Sequence, residues 1–384
     1  MASFESNSST LSASSPGNEW GSISQLFEPN QSFVVPIILA ISSLLFAFFK
    51  HLGSDDSKKE ESLSKLPVTD DHLTKADYEA IINNFLGEIS FKAPNYDFSK
   101  IVPELELRIT NRMKAQGVSC DIIDQVRQKQ CVNTAATMTS YTYSSASVNV
   151  QEAIATFAAY AISIDDLTTD FAEDLHRYAT NLTLGQPQRH SLLQGLTNHL
   201  SEQYETFGPF GGDMIIKGAL EFISSAKVEV ELMDTIHLSK DTTDFLEPFR
   251  AKTGVAEPFA FFCFPEDTHP EKQCLERYIA AVPTVMLFLD YVNDLLSFYK
   301  EHVKSGDSAS FVTSYARLHG HDLGQALRHV KVEAVNVIRR LRSIGAEDVE
   351  TFGNMERFIQ GYIWFHLRFR RYKLDELNIP LATR

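Results

Sequence analysis

Cysteine is scarce in this 384-residue chain, and its placement suggests no use for it. Cys120, Cys131, Cys263 and Cys274 include no Cys-x-x-Cys pair, and none has a histidine partner at zinc-finger spacing. The pattern predicts free thiols in a reducing compartment rather than a disulfide framework or a structural zinc site.

Positive charge is also in the minority. The chain has 35 basic and 50 acidic side chains, and a chain with this acidic balance is a poor partner for nucleic acid. It contains no Gly-x-Gly-x-x-Gly turn, no P-loop and no repeat of fixed period. The excess carboxylates fit bound cations or, equally, a solvated acidic surface.

Residues 1–32 contain no lysine or arginine and are rich in Ser, Asn, Gly and Pro, which predicts a disordered leader. The uncharged run Phe33–Phe49 has the minimum length of a transmembrane helix, and nothing basic precedes it. Because lysines follow it, the positive-inside rule predicts a membrane anchor with the downstream domain in the cytosol, on the endoplasmic reticulum. An interfacial or merely apolar segment is the alternative. Residues 50–75 resemble a linker.

Strand-like alternation is rare, and its best example is 227–232. Residues 76–384 instead show apolar side chains at spacings of three and four, which predicts one all-α domain of roughly ten helices. The clearest stretches are Tyr78–Leu86, Val150–Ile164, Gly212–Ser225, Leu275–Glu301, Leu323–Ile344 and Val349–Leu374.

Three oxygen-bearing side chains stand at the end of a very apolar helix. Asn293, Ser297 and Glu301 recur every four residues. Each such step turns an α-helix by about 400°, so the three side chains share nearly one face. Amide, hydroxyl and carboxylate oxygens suit a hard cation such as Mg²⁺, and Lys300 adds a charge for phosphate. The alternative is an amphipathic helix with an ordinary polar face.

A second acidic group, Asp165 and Asp166 with Asp170 nearby, follows another apolar helix. Adjacent carboxylates at the end of a buried helix repel each other unless a cation holds them. Acidic helix ends are common, so this motif is weak evidence alone. Together the two motifs predict two walls of one cavity that holds metal ions around a diphosphate.

These motifs resemble the aspartate-rich and Asn-Ser-Glu motifs of class I terpenoid synthases. Three sequence segments closely resemble those of the fungal trichodiene synthase family: NDLLSFYKE at 293–301, FGPF at 207–210 and RRYKLDEL at 370–377. The similarity runs from about residue 78 to 377. It implies a single helical bundle of the class I isoprenoid-synthase type.

The resemblance also implies roles for individual residues. Asp165 would bridge two Mg²⁺ ions, and Asn293, Ser297 and Glu301 would chelate a third. Four side chains would contact the diphosphate: Arg250, Lys300, Arg371 and Tyr372. Arg250 is followed by Gly254 as in the family. Asp166 is expected to pair with Arg371 when the site closes.

A pocket for the carbocation is expected below the metal ions. Its candidate aromatic residues are Phe157, Tyr160, Trp364 and Phe365, for each of which core packing is an equal alternative. The chain departs from the family pattern in three places: Ala158 and Phe365 replace pocket aromatics, and Thr169 stands where an acid is usual, with Asp170 after it. Because aromatic faces stabilise cations, these changes disfavour trichodiene as the product and make longiborneol a candidate.

The expected function is therefore that of a sesquiterpene cyclase, a carbon–oxygen lyase that ionises farnesyl diphosphate with three Mg²⁺ ions. A prenyltransferase-type isoprenoid synthase is one alternative, although such enzymes usually carry two DDxxD motifs. A non-catalytic, membrane-tethered helical scaffold is another. Whether the chain forms a homodimer is left open.

Overall fold

The computed structural model describes residues 73–95, 98, 100–232, 236, 238–239, 241–304 and 310–381. The predicted leader, the predicted anchor Phe33–Phe49 and residues 50–72 of the linker lie outside the described residues. What the sequence predicts for them stays a prediction.

Capping residues mark where several helices begin. Thr74 and Asp322 each form a capping box, in which the side chain of the cap and that of the third helical residue bond to each other's backbone N–H. Ser310 caps a third helix through the backbone N–H of Thr313. These polar caps supply acceptors that the first turn of a helix otherwise lacks.

The described residues form α-helices and short helical turns and contain no strand, which confirms the all-α prediction. The α-helices are α1 (Lys75–Glu88), α2 (Ile101–Ala115), α3 (Cys120–Gln128), α4 (Cys131–Thr142), α5 (Val148–Leu167), α6 (Ala172–Thr183), α7 (Ser191–Leu200), α8 (Gln203–Leu232), α9 (Leu246–Thr253), α10 (Ala256–Phe261), α11 (Glu271–Tyr278), α12 (Val282–Phe298), α13 (Phe311–His319), α14 (Leu323–Glu347), α15 (Val349–Phe352) and α16 (Met355–Arg368). Short 3₁₀ turns occupy Thr168–Asp170, Thr243–Phe245, Ile279–Ala281, Arg370–Tyr372 and Leu374–Glu376.

These elements are shorter and more numerous than the roughly ten helices expected. Short non-helical segments divide stretches that the apolar spacing predicts to be single helices. For example, Gly353 and Asn354 separate α15 from α16. The alternating stretch 227–232 is helical, as the end of α8. Six alternating residues are too short a signal to overcome the continuation of a long packed helix.

Helix α12 is the central element of the bundle. It packs against α10, α14 and α16, while α4 packs against α2, α5 and α16. Val285, Phe288, Val292 and Leu295 of α12 are fully buried. The functional cavity described below opens between these two groups of helices.

The helical run Glu271–Lys304, which includes α12, is long and apolar enough to cross a membrane, the one such run among the described residues. Of its most apolar 18-residue stretch, 61% is buried inside the protein. Burial by neighbouring helices is the property of a core helix, and the run is one here.

The FGPF segment forms a kink in α8. Gly208 has φ +75° and ψ 171°, followed by Pro209. The carboxylate of Glu271 accepts hydrogen bonds from the backbone N–H groups of Phe210 at 3.0 Å and Gly211 at 2.6 Å. A Cβ on Gly208 would lie 2.5 Å from Cδ of Glu271, so glycine meets both the positive φ and the close contact.

Candidate active site

The Asn-Ser-Glu motif spans a change of helix type. Asn293 and Ser297 lie on α12, whereas Glu301 lies on a π-helical turn, Tyr299–Lys304, that continues it. The assumption of regular α-helical steps through Glu301 is therefore wrong. Ser297 and Glu301 nevertheless meet, because the Ser297 hydroxyl donates to Oε2 of Glu301 at 2.9 Å. π-turns inside α-helices are frequent at functional sites.

The acidic pair lies on the opposite wall, at the end of α5. Arg371 donates two hydrogen bonds to Asp166, with NH2–Oδ1 at 2.9 Å and NH1–Oδ2 at 3.1 Å. The two residues expected to pair in the closed, ligated state are therefore paired in this structure, and the dependence of the contact on closure stays a prediction. This pairing raises the pKa of Arg371. Asp165 lines the cavity with its side chain exposed there, and no described residue donates a hydrogen bond to its carboxylate. Desolvation by the surrounding protein, followed by the Asp166 charge, raises its pKa.

Arg250 is held by three side chains of α12. Its Nε donates to Asp294 Oδ1 at 2.7 Å, its NH2 donates to Asn293 Oδ1 at 3.0 Å, and its NH1 lies 3.3 Å from Asp290 Oδ1. Burial opposes the guanidinium charge, but the carboxylates of Asp294 and Asp290 outweigh it and raise the pKa of Arg250.

Sequence reasoning missed Asp290 and Asp294. Burial raises the pKa of Asp290 to about 7 and that of Asp294 to about 6, while Arg250 acts in the opposite direction on both. A signal was present, since two carboxylates four residues apart inside a very apolar helix require a cationic partner. The partner's identity depends on how α9 packs against α12.

The remaining predicted diphosphate contacts meet at the same cavity. Lys300, Arg371 and Tyr372 line it together with Arg250. Tyr372 is buried, which raises its pKa, and its ring contacts Phe365 edge-on at 5.5 Å. Nζ of Lys300 lies 3.8 Å from Oε1 of Glu301.

The cavity has a volume of about 240 Å³, and its lining residues are of two chemical kinds. The charged and hydrogen-bonding residues are Asp165, Arg250, Asp290, Asn293, Lys300, Glu301, Arg371 and Tyr372. The remaining lining residues are mostly apolar or aromatic: Met138, Tyr143, Ala161, Ile162, Phe222, Val255, Phe259, Leu289, Tyr362 and Phe365. Charged groups and π faces in the lining of one cavity suit an amphiphilic ligand with an anionic end.

The structure corrects the predicted pocket wall. Of the four aromatic candidates, only Phe365 lines the cavity. Phe157 is buried behind the wall and packs edge-on against Phe262 at 5.2 Å. The Tyr160 hydroxyl donates to Gln116 at 2.9 Å, in the core.

Trp364 and Asp170 also lie off the cavity. Trp364 packs on Phe91, with the Arg368 guanidinium 5.3 Å from its ring centre. Asp170 is exposed and accepts a hydrogen bond from Gln125 at 3.0 Å. Helical periodicity marks which residues are apolar, but it does not distinguish a cavity wall from the packed layer behind it.

The donor set fits a hard divalent cation. Asp165, Asn293 and Glu301 present carboxylate and amide oxygens to one cavity, with the Ser297 hydroxyl against Glu301. Within the described ranges no three His, Cys, Asp or Glu side chains group closely enough to hold a metal alone. Each wall contributes only part of a coordination sphere, which suits Mg²⁺ because it keeps waters and takes phosphate oxygens as ligands.

Comparison with known proteins points to the same chemistry. The family model described as trichodiene synthase (TRI5) matches residues 73–379. The "(E)-beta farnesene synthase" of Metarhizium brunneum is 30% identical over 305 residues, 79% of this chain and 91% of that protein. "Monoterpene synthase 25" of Postia placenta is 26% identical, covering 77% of this chain and 86% of its own length. The "Trichodiene synthase" of Fusarium cortaderiae is 25% identical, covering 66% of this chain and 68% of that protein.

Solved structures share the fold at low sequence identity. The linalool/nerolidol synthase from Streptomyces clavuligerus superposes with a TM-score of 0.53 at 13% identity, covering 72% of this chain and 99% of that one. This likeness supports the helical bundle and carries no residue roles.

Proposed function

Since the chain belongs to the trichodiene synthase family of terpene synthases, we propose that it is a sesquiterpene synthase that ionises farnesyl diphosphate with Mg²⁺ and cyclises the resulting carbocation. One observation carries the proposal. A single cavity is lined by Asp165 of one oxygen-bearing motif, by Asn293 and Glu301 of the other, by four cationic or phenolic side chains and by several aromatic residues.

The cationic and phenolic groups bind the leaving diphosphate. Arg250, Lys300 and Arg371 offer basic N–H donors to the cavity, and Tyr372 offers a hydroxyl donor. Donors that are already oriented stabilise the charge that develops as the carbon–oxygen bond breaks. Arg371 is oriented by Asp166, and Arg250 by Asp294.

Mg²⁺, when bound, would neutralise the diphosphate and make it a better leaving group. Asp165 on one wall and Asn293, Ser297 and Glu301 on the other would hold the ions. The protein contributes by placing these oxygens on packed helical elements and by holding the Glu301 carboxylate through the Ser297 hydroxyl.

The apolar wall receives the hydrocarbon chain and the cation formed from it. Phe259, Tyr362 and Phe365 offer π faces, which attract a cation without forming a bond to it. The same wall excludes water, which would otherwise quench the cation as an alcohol. Because Ala158 and Thr169 are absent from the cavity lining, the departure most relevant to the product is at Phe365.

The test is incubation of the full-length protein in detergent with C10, C15 or C20 prenyl diphosphates and Mg²⁺, followed by gas chromatography with mass spectrometry. We expect a C15 hydrocarbon or alcohol from farnesyl diphosphate, with longiborneol among the candidates. Exclusive turnover of the C10 substrate would replace the sesquiterpene assignment, a result favoured by the relative named a monoterpene synthase. An acyclic product would remove the cyclisation step, and no product at all would overturn the proposal.

Metal use is tested by replacing Asn293 and Ser297 with alanine. The double variant loses two of the three oxygen ligands on α12 and its continuation, so turnover should fall at least ~100-fold or the product ratio should change. Unchanged kinetics and products would show that these residues do not serve the reaction.

We further propose that Phe33–Phe49 anchors the enzyme in the endoplasmic reticulum membrane with the cavity in the cytosol. The support is the uncharged run and the lysines after it. Deletion of residues 1–51 should move the protein from the microsomal to the soluble fraction. A full-length protein that is already soluble would refute the anchor.

A further inference from the structure

His366 lies behind the metal-binding face of α12. It is fully buried on α16, next in sequence to Phe365, and its Nε2 is 3.2 Å from Nδ2 of Asn293. Its Nδ1 is 2.8 Å from the backbone carbonyl oxygen of Tyr362. The rings of Tyr362 and Tyr372 contact the imidazole at centroid distances of 4.6 Å and 4.3 Å.

The hydrogen-bonding partners determine where each proton lies. Arg250 has only donors, so the Asn293 atom 3.0 Å from it must be the acceptor, Oδ1. The Asn293 amide nitrogen therefore faces His366 and donates to it. Since Nε2 must accept this bond, the imidazole proton is on Nδ1 and is donated to the Tyr362 carbonyl.

The orientation of this amide matters because its two ends are alike in shape and opposite in function. Oδ1 can ligate a cation, whereas the amide NH₂ group cannot. Rotation of the amide by 180° would set NH₂ against the Arg250 donors and Oδ1 against the His366 lone pair. Both contacts would be repulsive, so His366 and Arg250 together select one orientation.

We propose that His366 is a positioning residue, which accepts a hydrogen bond from the Asn293 amide and so keeps Oδ1 turned towards the cation site. The proposal rests on the proposed function, because it gives Asn293 the role of a Mg²⁺ ligand. His366 itself touches neither metal nor substrate in this role. Its consequence is confined to the affinity for the ion that Asn293 holds.

The first experiment uses full-length protein in detergent and measures thermal stabilisation by inorganic pyrophosphate as Mg²⁺ is titrated. His366→Phe keeps an aromatic ring between the two tyrosines but removes the acceptor. We expect the half-saturating Mg²⁺ concentration to rise by roughly 10- to 100-fold, the range typical for loss of a group that orients a metal ligand. His366→Gln, which restores an acceptor, should recover most of the loss.

A matched control separates this effect from the loss of any buried histidine. His269 is also buried outside the cavity lining, but its ring nitrogens meet Thr268 and the Thr351 carbonyl rather than a predicted metal ligand. His269→Phe should leave the half-saturating Mg²⁺ concentration within about twofold of the wild-type value, because only an orienting group shifts metal affinity. A folded His366→Phe protein that also keeps the wild-type value would overturn the role of His366.

A second measurement needs no variant. Nitrogen NMR of histidine-labelled protein should show a protonated Nδ1 and an unprotonated Nε2 at His366, and the opposite tautomer would refute the proposal even if no variant folds. Failure of the wild-type protein to respond to Mg²⁺ with pyrophosphate would instead count against the proposed function. The two failures are therefore distinguishable.

Discussion

The guanidinium of Arg250 lies directly against Gly254. A Cβ at Gly254 would come within 2.0 Å of NH1 of Arg250 and within 2.6 Å of Oδ1 of Asp290. Gly254 has an ordinary helical φ of −81°, so glycine is needed here for space rather than for backbone conformation. The glycine after α9 thus allows the arginine to reach α12.

Gly254→Ala should therefore impair activity by displacing Arg250. A shift of about 1 Å in a group that contacts the reacting phosphate costs on the order of 100-fold in rate. We expect kcat/KM for farnesyl diphosphate to fall by that order while the protein stays folded. Gly87→Ala is the control, because its Cβ would have no neighbour within 4 Å. Equal kinetics for the two variants would contradict the close-contact argument.

Asp166→Asn should weaken the orientation of Arg371. Hydrogen bonds to charged groups contribute about 1.5–3 kcal/mol, so kcat/KM should fall roughly 10- to 100-fold. Glu356→Gln is a matched control, since Glu356 also accepts two hydrogen bonds from one arginine, Arg342, at 2.9 Å and 2.8 Å. If both substitutions change only thermal stability, Asp166 has a structural role alone.

Two neighbouring aromatic residues on α16 should differ in their effect on the product. Phe365 lines the cavity and Trp364 does not. Phe365→Leu removes a π face, and cation–π attraction of up to about 2 kcal/mol implies a change in product ratios on the order of tenfold. Trp364→Leu should leave the gas-chromatographic profile unaltered. A changed profile for Trp364→Leu with an unchanged one for Phe365→Leu would reverse the assignment of the wall.

The buried His199 should make the protein less stable in mild acid. Burial lowers its pKa to about 3, while Nδ1 accepts from Gln116 and Nε2 donates to the Ala153 carbonyl. Below its unfolded pKa of about 6.5 the unfolded state binds a proton that the folded state does not, so stability falls as pH falls. Between pH 7 and pH 5 the loss from this residue is about 2 kcal/mol.

Urea unfolding at both pH values checks this prediction. His199→Gln removes the titrating group, so its stability should depend less on pH than that of the wild-type protein, by about the same 2 kcal/mol. Parallel pH dependence in the two proteins would show that His199 does not carry the effect. A difference in absolute stability between the two proteins does not affect the test, because only the change between the two pH values is compared.

Much of the fold was predictable because helical periodicity is local. Apolar spacing predicted an all-α chain, and it placed Asp165 at the end of one apolar helix and Asn293 near the end of another. Apolar spacing gave wrong predictions where helix packing, rather than the local pattern, determines the backbone conformation. The stretch 227–232 is helical despite its alternation, and the spacing of four misses the π-turn that carries Glu301.

The sequence by itself determined the helical class, the two oxygen-bearing motifs and the resemblance that assigned residues to the diphosphate. Only the tertiary structure decided which aromatic residues face the cavity: Phe365 does, whereas Phe157, Tyr160 and Trp364 pack elsewhere. It also decided the partners of Arg250, and it brought His366 to Asn293 from a helix 73 residues away. The physical reason is that such contacts depend on how distant helices pack, and spacing along one helix carries no information about its neighbours.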